Sequence, residues 1–279
     1  MTGHSVNTHC HFTQRDCIPY HDAILTQLDG KIVLVTGAAS GLGAASAVLA
    51  AERGAQVLLA DRDADGVRRV AAEIDMPWEA CDVTDPQQSA RLVRACVTRL
   101  GRIDGLASAA GVSHTCPFLD ITPDTFDRVV GVNLRGAFFV QQAVARRMVE
   151  AGHGGSIVNF SSTAGRVGRP LASVYALTKA AVANMTRSAA LALAPHRVRV
   201  NAVTPGIIET PMVEAIRDAR AEVLDTTPAA IQAGWETAIP LGRLGRSTEV
   251  AEVVAFLLSD ASSYVTGEEI GATGGTDGS

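Results

Sequence analysis

The chain has 279 residues, 47% hydrophobic and 19% charged, which suffices for one large α/β domain with a sizeable core. Twenty-four Lys and Arg against 29 Asp and Glu leave a net charge of −5, and no basic tract or basic helix face stands out. Nucleic-acid and acidic-membrane roles therefore have no electrostatic footprint. No apolar run approaches the roughly 18 residues that span a bilayer, and no stretch resembles a signal peptide. The low charged fraction suggests that part of the surface is covered by another subunit. Five cysteines, scattered at 10, 17, 81, 96 and 116, fit a reduced, cytoplasmic protein.

Residues 1–28 carry His4, His9, His11 and His21 with Cys10 and Cys17 and little apolar periodicity. They are expected to form a flexible arm. A metal site is the alternative, but no Cys-x-x-Cys pair supports it, and no metal is expected. From Gly30 onward, short β-branched runs alternate with longer Ala-rich stretches. Strands are expected at 31–35, 56–60, 78–81, 103–108, 156–160, 197–203 and 269–272. Helices are expected at 43–53, 63–74, 86–100, 123–150, 173–194 and 248–258. The strands are nearly continuous apolar runs, as when helices cover both faces of a sheet. Regular alternation predicts a single-domain, doubly wound parallel sheet, the Rossmann architecture, over 29–279.

The first strand runs through Thr36-Gly37-Ala38-Ala39-Ser40-Gly41-Leu42-Gly43 into a helix. Glycines allow a sharp turn and close approach to a pyrophosphate, and the helix start offers free N–H groups and a positive dipole end. Its place in the first strand–helix unit is the context a dinucleotide site requires. Asp61 ends the second strand, 20 residues beyond Gly41. A carboxylate there accepts from both ribose hydroxyls and repels a 2′-phosphate, which favours NAD over NADP, while Arg62 next to it offsets part of that repulsion. Asp82 ends the third strand, either as a partner for an adenine amino group or as the cap of the helix after Pro86.

Tyr175 and Lys179 lie four residues apart on one predicted helix, about 6 Å along its axis. An ammonium so placed is expected to pull the phenol below its usual range. Between Ser173 and Ala194 the only charged residues are Lys179 and Arg187, so a lysine there needs a reason. Ser162 follows the apolar strand run 157–160, at the sheet edge where ligands bind, and can orient a substrate oxygen. Asn133 lies inside the predicted helix 123–150, among Val129, Val130, Val132 and Leu134, with core satisfaction and a proton relay both open.

These pieces, in this order, resemble the short-chain dehydrogenases/reductases over 28–275: Thr36-Gly37-x-x-x-Gly41-x-Gly43, Asp61, Asp82, Asn133, Ser162, Tyr175-x-x-x-Lys179, and Pro205-Gly206 with Thr210. The resemblance implies a hydride transfer between nicotinamide and a secondary alcohol/ketone pair. Ser162 then polarises the substrate, Tyr175 is the acid/base, Lys179 tunes it and holds the nicotinamide ribose, and Asn133 anchors a water relay. It also implies a cofactor-binding set of Gly37, Ser40, Gly41, Leu42, Gly43, Asp61, Arg62, Asp82, Val83, Ala110, Gly111, Tyr175, Lys179, Pro205, Gly206, Ile208 and Thr210. A homotetramer built on helices 123–150 and 173–194 is implied as well. Two places depart from the family. Ser108-Ala109-Ala110-Gly111 stands for Asn-Asn-Ala-Gly, and Thr273-Gly274-Gly275 for Asp-Gly-Gly. An amphipathic lid helix is expected within 204–240, with Trp235 closing the pocket. His114 and Arg169 are read as surface-loop residues that could alternatively meet a polar or anionic group. A lyase or epimerase and a non-catalytic redox-sensing binding protein are the alternative functions on this scaffold.

Overall fold

The computed structural model describes residues 27–276. The His- and Cys-bearing stretch before residue 27, expected to be an arm, lies outside the described residues. Gln27 and Leu28 already pack with the domain. Leu28 is fully buried and its N–H donates to the Arg53 carbonyl, while Gln27 Nε2 donates to Ser259 Oγ.

Seven parallel strands form one sheet: β1 (Ile32–Thr36), β2 (Gln56–Asp61), β3 (Trp78–Ala80), β4 (Gly105–Ser108), β5 (Gly155–Phe160), β6 (Val198–Pro205) and β7 (Glu269–Ala272). Their spatial order is β3-β2-β1-β4-β5-β6-β7, so the winding reverses beside β1. A crevice opens beyond the carboxyl ends of the strands at such a reversal. The sheet is apolar on both sides for a simple reason. In β1, Val33 and Val35 face one cluster with Leu59 and Val254, whereas Ile32 and Leu34 face another with Leu58, Leu106 and Val144.

The helices are α1 (Gly41–Glu52), α2 (Ala64–Glu73), α3 (Pro86–Leu100), α4 (Pro123–Val130), α5 (Ala137–Ala151), α6 (Ser173–Leu193), α7 (Pro211–Val223), α8 (Pro228–Ala238) and α9 (Ser247–Leu258). Four begin with a capping side chain followed by proline. Asp85, Thr122, Thr210 and Thr227 accept an N–H from the first turn of α3, α4, α7 and α8.

Two expected elements differ. The helix expected at 123–150 is interrupted by a π-helical segment at Gly131–Gly136. Gly136 has Val83 against it, leaving no room for a side chain, and Arg135 Nη1 donates to the Thr84 carbonyl at 2.6 Å. These contacts with the loop after β3 accompany the wider turn. The single helix expected within 204–240 is instead the pair α7 and α8, and Thr227-Pro228 is the sequence signal for the second start.

Candidate active site

The turn between β1 and α1 is built from close contacts that only glycine permits. A Cβ on Gly37, whose φ is +72°, would lie 2.6 Å from the Ala110 nitrogen, and one on Gly43 would overlap the Gly37 carbonyl. Ser40 precedes α1 but makes no side-chain cap, and the first turn of α1 holds no acidic residue. The N–H groups and positive end of α1 are thus left for something outside the helix.

The crevice is lined by Gly37, Ser40, Gly41, Leu42, Gly43, Asp61, Arg62, Asp82, Val83, Ala110, Gly111 and Thr210, all expected from the sequence. Asp63, Cys81, Val112, Val132, Pro211 and Met212 line it too. The Thr210-Pro211 helix start was the available signal for Met212. Asp61 is fixed at the end of β2 by two backbone donors, Ala39 N–H at 3.1 Å and Asp63 N–H at 3.0 Å. Asp82 does not cap α3, a role that belongs to Asp85. Instead, Asp82 accepts from the backbone and hydroxyl of Thr84 at 2.9 and 2.8 Å, closing a small turn at the crevice wall.

Beyond the crevice stands a polar group around the start of α6. Ser162, just after β5, hydrogen-bonds the Tyr175 phenol, and its Oγ also accepts the Ala164 N–H at 3.1 Å. Lys179, 6% exposed, donates from Nζ to the Phe160 carbonyl at 2.7 Å and lies 5.5 Å from the centre of the Tyr175 ring. Asn133 is buried in the π-helical segment. Its side chain brackets Val112, accepting the N–H at 2.8 Å and donating to the carbonyl at 2.9 Å, and donates to Thr178 Oγ1 at 3.2 Å. A Cβ on Gly111 would be 3.6 Å from Asn133 Oδ1 and 3.7 Å from Lys179 Nζ, so crevice wall, asparagine and lysine meet at one point. Thr178 and the Phe160 carbonyl were missed from sequence. The hydroxyl beside Lys179 on an Ala-rich helix was a signal for the first, whereas a backbone carbonyl has none.

The electrostatics correct one expectation. Burial pushes the Tyr175 phenol above its usual range, opposed by the hydrogen bond to Ser162, whereas a neighbouring ammonium was expected to lower it. Lys179 lies over the ring, its amine turned to a carbonyl, and burial brings its own pKa down to about 8.

A family model described as enoyl-(acyl carrier protein) reductase matches residues 37–277. A 3-oxoacyl-[acyl-carrier-protein] reductase of Thermotoga maritima is 41% identical over 254 residues, 89% of this chain and 98% of that one. A short-chain type dehydrogenase/reductase from Mycobacterium marinum superposes with a TM-score of 0.84 at 38% identity, over 91% of this chain and 98% of the other. A 3-ketoacyl-(acyl-carrier-protein) reductase from Brucella melitensis, solved with NADH, gives 0.80 at 34% identity over 90% and 99%.

The chain is a short-chain dehydrogenase/reductase. As such it is an oxidoreductase of alcohol/ketone pairs that uses a nicotinamide dinucleotide, NAD or NADP. The uncapped start of α1 and the cradle at Gly37 suit the pyrophosphate of that cofactor.

Other residues expected in this short-chain dehydrogenase/reductase fall as follows. Pro205 ends β6, and Gly206 follows with its N–H donated to the Ala272 carbonyl at 3.0 Å. Ile208 is displaced from the crevice. Its side chain is in the core, lining a second cavity with Ile239 and Val250, because it is pinned in a bridge to Gly245. His114, read as a surface-loop residue, is buried, and both ring nitrogens lack a partner. Arg169 is exposed, and Trp235 is half-buried against Arg220 at 5.9 Å. Where the family's first Asn-Asn is Ser108-Ala109, Thr36 Oγ1 is buried without a partner beside Ser108 in register. At the second departure, Thr273 Oγ1 accepts the Gly275 N–H at 3.2 Å, which holds the turn.

Proposed function

We propose that this enzyme is an NAD(H)-preferring alcohol dehydrogenase/ketoreductase in which Tyr175 exchanges the proton, Ser162 orients the substrate oxygen, and Lys179 and Asn133 support them. The observation that carries this reading is the hydrogen-bonded Ser162–Tyr175 pair beside the buried Lys179, at the carboxyl edge of the sheet and next to the crevice. A bound nicotinamide would supply the hydride acceptor for the carbinol carbon or the hydride donor for the carbonyl carbon. Tyr175 supplies the matching proton at the substrate oxygen. In reduction the buried phenol donates it, and in oxidation the phenolate accepts it. Ser162 donates a hydrogen bond to the same oxygen as charge develops there. Lys179 lies 5.5 Å from the centre of the Tyr175 ring, and with a pKa of about 8 it can return a proton towards Tyr175 near neutral pH.

Gly37, Ser40, Gly41, Leu42 and Gly43 would hold the pyrophosphate. Asp61 would take the adenosine ribose hydroxyls, Asp82 and Val83 the adenine side, and Ala110 and Gly111 the adenosine from below. Pro205, Gly206, the Ile208 backbone and Thr210 would wall the nicotinamide. The fixed carboxylate of Asp61 in the crevice supports NAD over NADP. The helix pair at 211–238 acts as the substrate lid of the 29–279 domain. The enzyme works in the cytoplasm as a homotetramer joined through the 123–151 and 173–193 helices. Exposed Phe126, Phe138, Leu177 and Leu191 support that assembly, since apolar side chains on those helices need a cover.

Replacing Tyr175 with Phe tests the reading. Turnover of ketones and alcohols should fall at least a thousandfold, with NADH affinity within a few-fold of the parent by fluorescence titration. Full activity in the Phe variant rejects the assignment. A substrate consumed with no net change in nicotinamide absorbance would favour a lyase or epimerase.

A further inference from the structure

Ser162 and Tyr175 belong to separate elements. The serine follows the end of β5, and the tyrosine stands in the first turn of α6. Their hydrogen bond forms only where strand end and helix are held in one register and one rotation. The start of α6 has no side-chain cap, so the helix's own end does not supply that hold.

A run of contacts one turn further along α6 supplies it. Phe160 ends β5, and its carbonyl accepts from Lys179 Nζ at 2.7 Å. The next residue, Ser161, is buried, and its Oγ donates to the backbone carbonyl of the same lysine at 3.1 Å. Amine and carbonyl of Lys179 are thus both tied to one strand end. Ser161 is itself anchored to the sheet, its N–H donating to the Val203 carbonyl of β6 at 2.9 Å. A carbonyl has two acceptor positions, so the serine hydroxyl takes the one that the helix ladder leaves over. The hydroxyl adds a link between elements and none within α6. After Ser162, the turn Thr163–Gly165 rests on the same stretch of helix. A Cβ on Gly165 would lie 2.7 Å from the Ala180 nitrogen and 2.8 Å from the Lys179 carbonyl carbon, so backbone meets backbone there. Glu269 of β7 fastens the far side, pairing with Arg187 of α6 and lying 3.9 Å from Arg166, the residue after Gly165.

We propose that Ser161 is a positioning residue: its hydroxyl, together with the backbone contact at Gly165, sets the rotation of α6 against the end of β5 and so the reach between Ser162 Oγ and the Tyr175 phenol. It acts through those two side chains and not on the substrate. This inference rests on the oxidoreductase reading of the site and adds a residue to it. Without the tie, the cost falls on proton transfer. Gly37, Gly41, Gly43, Asp61 and Asp82 line the crevice from other elements, so dinucleotide binding is spared. Burial raises the phenol's pKa and the Ser162 bond opposes that rise, so a loosened bond lets it climb further. Lys179, whose amine lies 5.5 Å from the ring centre, is kept in every variant below.

The test takes whichever of ethyl acetoacetate, cyclohexanone and fructose the parent reduces fastest with NADH, together with the matching alcohol and NAD. Ser161→Ala and Gly165→Ala disturb the docking by different means, and each should lower kcat about 10–100-fold. KM, and NADH affinity by fluorescence titration, should stay within a few-fold of the parent, which also shows that the variants are folded. The pH of half-maximal alcohol oxidation should move up by about half a unit in both. Ser161→Thr, which keeps the hydroxyl, should hold kcat and the pH profile near the parent's. A Ser161→Ala enzyme with the parent's kcat and pH profile overturns the inference. So does a loss that appears in KM or NADH affinity while the pH profile stays put, the mark of a merely structural serine. With Tyr175→Phe inactive in the same assays, either result leaves the oxidoreductase reading standing. If Tyr175→Phe matches the parent, or the parent binds NADH and reduces none of the three ketones, that reading falls and the inference with it.

Discussion

Lys179→Met in the ligand-free protein separates the chemistry of the site from the stability of the fold. Lys179 is 6% exposed, and burial alone brings its pKa from 10.5 to about 8. That displacement corresponds to roughly 3 kcal/mol by which burial disfavours the ammonium. Below pH 8 the lysine is protonated in folded and unfolded chains alike, so the folded state bears the whole cost. Between about pH 8 and 10.5 the folded protein has released the proton while the unfolded chain still holds it, so stability rises with pH. Above 10.5 both are neutral and the cost is gone.

Methionine has nearly the same length and carries no charge, so the variant lacks this dependence. It also lacks the donor to the Phe160 carbonyl, a loss of about 1–3 kcal/mol that opposes the gain at neutral pH. The two proteins should therefore be close in stability at pH 7. The parent should gain roughly 3 kcal/mol on the variant by pH 10.5. Urea unfolding followed by circular dichroism, at fixed protein concentration and five pH values from 7 to 10.5, measures the difference. Other titrating groups are common to both proteins and cancel to first order. A difference that stays flat to within 1 kcal/mol would refute the buried-ammonium argument, whatever the variant's activity.

Three further outcomes follow from the same geometry. Gly37→Ala places a Cβ 2.6 Å from the Ala110 nitrogen at a φ of +72°, so NADH affinity should drop at least tenfold by fluorescence titration; unchanged affinity would mean the turn does not cradle the dinucleotide. Asn133→Ala removes the bonds to Val112 and Thr178 and should cost about 2–4 kcal/mol in urea unfolding, with a loss below 1 kcal/mol counting against a structural role for the amide. Asp61→Ala should raise the NADP-to-NAD ratio of kcat/KM at least tenfold by removing the charge that repels a 2′-phosphate, and a constant ratio would locate cofactor choice elsewhere.

The strands could be read from sequence because burial on both faces leaves an uninterrupted apolar run. β1 and the Val57–Ala60 run of β2 are the clearest cases. The crevice could be read because it is made of backbone, and the glycines that permit close backbone approach are visible as letters. Contacts that depend on a neighbour distant in sequence were not visible. The π-helical segment meets Val83 and Thr84, and Asn133 reads as a mild helix misfit until Val112 is found beneath it. His114 has the spacing of a surface loop, and only the bond from Cys116 to Leu171 reveals that its loop is folded inward. Spacing on a helix gave the Tyr175–Lys179 proximity correctly but the wrong direction for the phenol. Distance along an axis says nothing of desolvation or of which acceptor the amine prefers, and here Phe160 has it.

The unsatisfied groups of the fold are not spread evenly. The helices α2, α3, α4, α7 and α8 each begin with a side chain that takes one of their free N–H groups, and at α9 the Glu249 carboxylate reaches back to the Arg246 N–H at 2.7 Å. Of the helices entered from a loop, α1 and α6 have no side-chain cap, whereas the uncapped α5 continues from the π-helical segment; α1 opens the crevice and α6 carries Tyr175. The buried ammonium of Lys179, bonded to the last carbonyl of β5, and the unmatched nitrogens of His114, in the loop after β4, lie at the same carboxyl edge of the sheet. A capping substitution is worth about 1 kcal/mol and an unmatched buried group about the same or more, so the fold forgoes several kcal/mol there. Such a cost, concentrated where cofactor and substrate must enter, is recovered only when they bind. The apo protein should accordingly gain more stability from its two ligands together than from either alone, because the substrate and the dinucleotide's pyrophosphate answer different members of one unsatisfied set.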